Sequence, residues 1–114
     1  MLKISELQSK ELSEASYLHR MRKYLYDSFP EARDVPVDDM ETAITALTNR
    51  AAIYNLTQET DVAAFIVTAW LMGLDFDQKF TVVGNVLANF DLPSYEKTEF
   101  LWEFIEKSFA TLKG

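Results

Sequence analysis

The sequence contains no cysteine, so neither a disulfide framework nor a thiolate metal site can form. It has one histidine, His19, and three glycines set far apart at Gly73, Gly84 and Gly114. Zinc needs three or four ligands drawn from His, Cys and acids, and a phosphate cradle needs glycines bunched in one loop. The chain has the material for neither, and no cofactor is expected. With only three prolines, long stretches are left uninterrupted and free to form helix. The most apolar stretch is Val62 to Leu74, where only Thr68 and Gly73 fall outside the apolar set. As a helix it would rise about 20 Å, short of the roughly 30 Å of a bilayer core. The N-terminal Met1-Leu-Lys-Ile-Ser-Glu6 lacks a long apolar core and a small-residue cleavage site. No signal peptide is therefore expected, and a cytoplasmic chain is.

What is present describes a globular protein. A chain of 114 residues, 48% hydrophobic and 25% charged, has the length and composition of one helical domain over 1–114. The net charge of −7 is unevenly spread: residues 1–30 carry +1 and residues 31–114 carry −8. That balance opposes nucleic-acid binding, which runs on phosphate neutralisation by Lys and Arg, and docking on an anionic membrane. A protein with a basic face is the natural complement.

Helical periodicity organises the chain. A first helix is expected from Ser5 or Ser9 to Ser28, with Leu7, Leu18, Met21, Leu25 and Phe29 in one arc. Pro30 should end it, and 30–37 reads as a connecting loop. Asp38 and Glu41 have capping-box spacing before a second helix that buries Met40, Ile44, Leu47 and Ala51. Asn55 suits its left-handed end. Thr57 is the expected cap of a central helix near 58–73, with Glu59 and Asp61 in its first turn. A helix apolar on every side must be enclosed, so this one is expected at the core. Gly73 and Leu74 read as a Schellman ending, and 75–78 as a polar link. Phe80, Val83, Leu87 and Phe90 recur at helical spacing, with a strand as the competing reading because Val82, Val83 and Gly84 are weak helix formers. Ser94 should cap a last helix that sets Glu96, Glu99, Glu103 and Glu106 opposite Leu101, Trp102, Ile105, Phe109 and Leu112. The expected fold is all-α, an orthogonal or irregular bundle of about five helices.

Candidate chemistry is thin. His19 lies in a basic helical run with no Gly-x-Ser-x-Gly turn, so a surface histidine is expected and an enzyme is not. Asp75 and Asp77 fall short of a calcium loop and are expected to end one helix and begin the next, with Phe76 buried between them. The aromatic content, eight Phe, five Tyr and two Trp, carries more information. Trp102 and Phe104 point to opposite edges of the last helix. Either that helix is largely enclosed, or one edge is an exposed patch of the kind that marks interaction sites. Candidate partner-binding residues are therefore Phe100, Trp102 and Phe104, together with Tyr17, His19, Arg20, Lys23 and Tyr24 on the first helix.

Three segments carry a family likeness: Arg20-Met-Arg-Lys-Tyr-Leu-Tyr-Asp-Ser-Phe-Pro30, Arg50-Ala-Ala-Ile-Tyr-Asn-Leu-Thr-Gln-Glu-Thr-Asp-Val-Ala-Ala-Phe-Ile66, and Gly73-Leu-Asp-Phe-Asp77. In this order they resemble a family of small helical bacterial proteins encoded beside type VI secretion spike, adaptor and effector genes. After Asp77 that family often has a Trp, where this chain has Phe80 to Val83. The resemblance implies a protein partner: a secreted effector, its adaptor, or a toxin. It leaves two roles open, an adaptor or co-chaperone for the effector or its loading factor, and an immunity protein that neutralises a co-encoded toxin.

Overall fold

The computed structural model describes the backbone of residues 2–113 and the side chains of residues 15–110. The expected all-α class is what the chain forms: six α-helices and one 3-10 turn, with no strand among the described residues. The chain separates into two compact units, 1–46 and 47–114.

In the first unit, α1 spans Leu2–Ser28. It begins before Ser5 and Ser9, because no proline or glycine interrupts the run and adding residues to an existing helix costs little. Met21 and Leu25 are buried, while Leu18 and Phe29 are half-buried. Leu7 lies outside the described side chains. The expected loop after Pro30 is instead a 3-10 turn, Pro30–Asp34, with Pro30 in its first turn and Ala32 buried. Proline suits a first helical position, since its missing N–H has no partner there anyway. The Tyr26 hydroxyl donates to the Val35 carbonyl at 2.9 Å, and Arg33 Nε donates back to the Tyr26 carbonyl at 3.1 Å. Next comes α2, Val37–Ile53. Its opening bond runs from Met40 N–H to the Pro36 carbonyl at 2.9 Å. Pro36 thus holds the place expected for Asp38, and Asp38 and Asp39 complement the dipole from inside the first turn. Arg22 of α1 and Glu41 of α2 form an ion pair.

The second unit starts with the end of α2; the four expected core residues of that helix are all buried, Met40 and Ile44 in the first unit and Leu47 and Ala51 in the second. Asn55 takes a positive φ of 66°. Leu56 N–H reaches the Ala51 carbonyl and Asn55 N–H the Ala52 carbonyl, each at 3.0 Å. That is the Schellman pairing, closed by the buried Leu56. The motif expected at Gly73 and Leu74 is found here instead.

The central helix α3 spans Glu59–Met72, with Gln58 rather than Thr57 at its N-cap. Asp61, Val62 and every residue from Ala64 to Ala69 are buried. Thr68 is tolerated there because its hydroxyl donates to the Ala64 carbonyl at 2.7 Å. Gly73 has φ 112° and ψ 150°, a region essentially reserved for glycine, and it turns Leu74 outward to 61% exposure. The sealed section therefore stops short of Leu74. What reads as a polar link is a one-turn helix, α4, Phe76–Lys79, with Phe76 and Asp77 both buried. Residues Thr81–Ala88 form α5, a helix and not a strand, which buries Val83 and Leu87 but leaves Phe90 beyond it 74% exposed. Gly84 faces the Asp77 carbonyl so closely that a Cβ would overlap it, which explains a weak helix former in mid-helix. The last helix, α6, spans Ser94–Lys113 and packs on α3 and α5. Lys97 N–H reaches the Pro93 carbonyl at 3.3 Å, so Pro93 rather than Ser94 occupies the cap.

Candidate functional site

The polar groups inside the second unit converge on Asp77. Arg50 of α2 pairs with its carboxylate, and the Tyr54 hydroxyl donates to the other oxygen at 2.6 Å. Arg50 also donates to the Leu74 carbonyl at 2.6 Å, and its guanidinium lies 5.6 Å from the centre of the Phe65 ring. Phe65 in turn meets Phe76 edge-on at 4.9 Å and Tyr54 at 6.0 Å. Burial, then the hydrogen bond and charge of Asp77, push the Tyr54 phenol up to about 12, against the opposing pull of Arg50. A second link joins α3 to α6, where the Thr98 hydroxyl donates to Asp61 at 2.7 Å. Lys97, fully buried on α6, donates to the Tyr54 carbonyl at 2.9 Å and stands 5.7 Å from the Phe90 ring centre. Burial holds its amine below the usual lysine range.

This network braces the unit. Among the described residues, no buried side-chain nitrogen or oxygen lacks a hydrogen-bond partner. Arg50, Tyr54 and Asp77 are engaged with one another and with backbone. Arg50, Tyr54, Asp61, Phe65, Phe76 and Asp77 are the members of this brace. Among the described residues, no three His, Asp or Glu side chains gather where they could hold a metal ion.

In the second unit, a line of accessible aromatic side chains runs along α6. Lys97, Leu101 and Ile105 form its inner row. Along one edge Val82 of α5 and Phe100, Glu103, Phe104, Lys107 and Ser108 of α6 line a groove of about 310 Å³. Phe80 meets Phe104 edge-on at 5.2 Å, and Phe100 stacks on Phe104 at 6.4 Å, so the two α6 rings form one apolar wall. Along the other edge Tyr95 is 62% exposed, and Trp102 and Phe109 are each 37% exposed. The expected inner face including Trp102 and Phe109 is corrected accordingly: an inner row at four-residue intervals leaves both at the rim. Glu96, Glu99, Glu103 and Glu106 are all exposed, as their shared face requires.

The candidates on α1 belong to the other unit. His19, Arg20, Lys23 and Tyr24 are exposed and Tyr17 is half-buried. His19 Nδ1 stands 3.2 Å from the Arg22 guanidinium, and Lys23 pairs with Asp27 at 3.3 Å. The structure therefore gathers Phe100 with Phe104 and sets Trp102 on the opposite edge of the same helix. The five α1 residues lie within 1–46. Reading the chain residue by residue misses Val82, Tyr95 and Phe109 as surface candidates. Tyr95, Trp102 and Phe109 carry a signal nonetheless, each standing seven residues from the next.

Among the described residues, no helix is long and apolar enough to cross a membrane. No protein family, curated protein or solved structure matches the chain.

Proposed function

We propose that this protein is a non-enzymatic interaction module of the cytoplasm, an adaptor or co-chaperone for a type VI secretion effector or for the factor that loads it. The observation that carries the reading is the apolar groove between Val82 and the Phe100–Phe104 wall, on a helix whose opposite rim also exposes aromatic side chains. Apolar surface left open beside a packed core is where partner proteins gain binding energy. The resemblance of 20–30, 50–66 and 73–77 to proteins encoded beside secretion genes points to a secreted effector or its loading factor as the class of partner. The acidity of 31–114 favours a second reading, an immunity protein that covers the basic active face of a co-encoded toxin.

The test is affinity capture of the neighbouring effector and adaptor products, joined to a secretion assay in a strain lacking this gene. The adaptor reading expects direct binding, loss of effector secretion, and about tenfold weaker binding by Val82→Glu, which sets a charge on the groove lip. Unchanged secretion with no binding to either product would sink it. The immunity reading expects the deletion strain to be killed by its siblings, and survival rules it out.

A further inference from the structure

We propose that the outer seam of α6 docks an amphipathic helix rich in lysine and arginine, supplied by a partner protein. The inference rests on reading the chain as an interaction module and adds the chemistry of what it binds. Tyr95, Glu99, Trp102, Glu106 and Phe109 follow one another at steps of four, three, four and three residues, and all five are exposed. Alternating steps of four and three trace a single line along a helix, the spacing by which two helices mesh side by side. The aromatic rings recur about every 10 Å along α6, so the three span about 20 Å. Between each pair of rings stands a glutamate.

That alternation selects the occupant. A helix with apolar residues at the same repeat fits between the rings, and lysine or arginine beside them reaches Glu99 and Glu106. The same cations also sit favourably over the faces of Trp102 and Tyr95. An acidic or neutral helix would satisfy the rings and strand the carboxylates. A second copy of this chain is a poor occupant, because its own α6 would set Glu99 and Glu106 against their equals on a protein of net charge −7. The groove at Val82 lies on the other edge of α6, so seam and groove can be tested separately.

The probe is a three-heptad helical peptide with leucine along its seam and lysine and arginine on both flanks. Its twin carries glutamate at every basic position. Calorimetry with the full chain is expected to show saturable binding of the basic peptide, perturbing the Trp102 indole resonance, and at least tenfold weaker binding of the twin. Trp102→Ala, and separately Glu99→Gln with Glu106→Gln, are expected to weaken the basic peptide about tenfold with circular dichroism and Tm unchanged. Tyr95→Ala, at the most exposed ring, serves if the tryptophan variant does not fold. Equal binding of the twin, indifference to the seam variants, or no binding would overturn the proposal. So would a dimer in sedimentation that Trp102→Ala dissolves, which would give the seam to a second copy. If the neighbouring effector binds but only Val82→Glu weakens it, the seam proposal fails and the adaptor reading stands. If the basic peptide binds at the seam and neither neighbouring product binds, the seam proposal stands and the adaptor reading fails.

Discussion

Asp77 is the residue on which the second unit's polar interior depends, since it takes an arginine and a tyrosine hydroxyl on its two oxygens. Removing Asp77 leaves the part-buried Arg50, 33% exposed, and the Tyr54 hydroxyl without their shared partner. Asp77→Ala is therefore expected to cost about 3 kcal/mol in urea unfolding, where Tyr54→Phe, which removes one hydrogen bond, costs about 1 kcal/mol. Tyr54 also sets an alkaline limit. Its phenol keeps its proton in the folded state up to about 12, while the unfolded chain loses it near the ordinary value of 10.0. Between those values the folded state holds more protons, so the stabilisation is complete below pH 10 and is lost as pH rises toward 12. Lys97 acts in the opposite sense. Its amine is depressed below 10.5 by burial, so the folded state sheds that proton first and gains stability as pH approaches 10.5 from below. Ultraviolet titration should show one tyrosine ionising last, and Tyr54→Phe should remove that step. A titration in which all tyrosines ionise together near pH 10 contradicts the burial of the phenol.

At the scale of the element, two glycines are fixed by different causes. Gly84 is helical, where alanine ordinarily stabilises by about 1 kcal/mol, yet a Cβ there would overlap the Asp77 carbonyl. Gly84→Ala is expected to destabilise by about 2 kcal/mol, because α5 must move off α4. Gly73→Ala strains a backbone at φ 112° and should cost a similar amount, read in the same denaturation series. Neither cause shows in a single sequence: Gly84 reads there only as a weak helix former, and Gly73 as a Schellman glycine. Periodicity makes α2 legible, because Met40, Ile44, Leu47 and Ala51 recur at intervals only burial rewards, and the near-unbroken apolar run Val62 to Ala69 makes the core section of α3 legible. Helix ends are less legible. Pro36, Gln58 and Pro93 hold positions that propensity assigns to Asp38, Thr57 and Ser94, since these caps are made by backbone carbonyls rather than side-chain oxygens. The Asp77 brace is invisible for a related reason: it joins residues 23 and 27 positions apart, and no local pattern registers such a pairing.

For the molecule as a whole, the buried polar groups among the described residues are hydrogen-bonded, while several aromatic side chains along α6 stay exposed. Arg50, Tyr54, Asp61, Asp77, Lys97 and Thr98 of the second unit are engaged with one another or with backbone. Both edges of α6 remain available, and on that helix periodicity marks the acidic face and the inner Leu101 and Ile105 correctly but counts the exposed Trp102 and Phe109 with them, while Leu112 lies outside the described side chains. Four-residue steps from Lys97 through Leu101 to Ile105 place a lysine in the core, which hydropathy alone would never choose. The most direct measurement of where this protein works is photo-cross-linking in living cells, with a photoreactive side chain placed at position 102 and, as a control, at the exposed position 53 beyond the α6 surface. On the proposed adaptor role, the adduct at 102 joins this chain to a secreted effector or its loading factor, with none at 53. Adducts at 53 alone, or none from 102 and none from a second probe at position 104 in the groove while the effector is being secreted, would contradict the assignment of binding to α6.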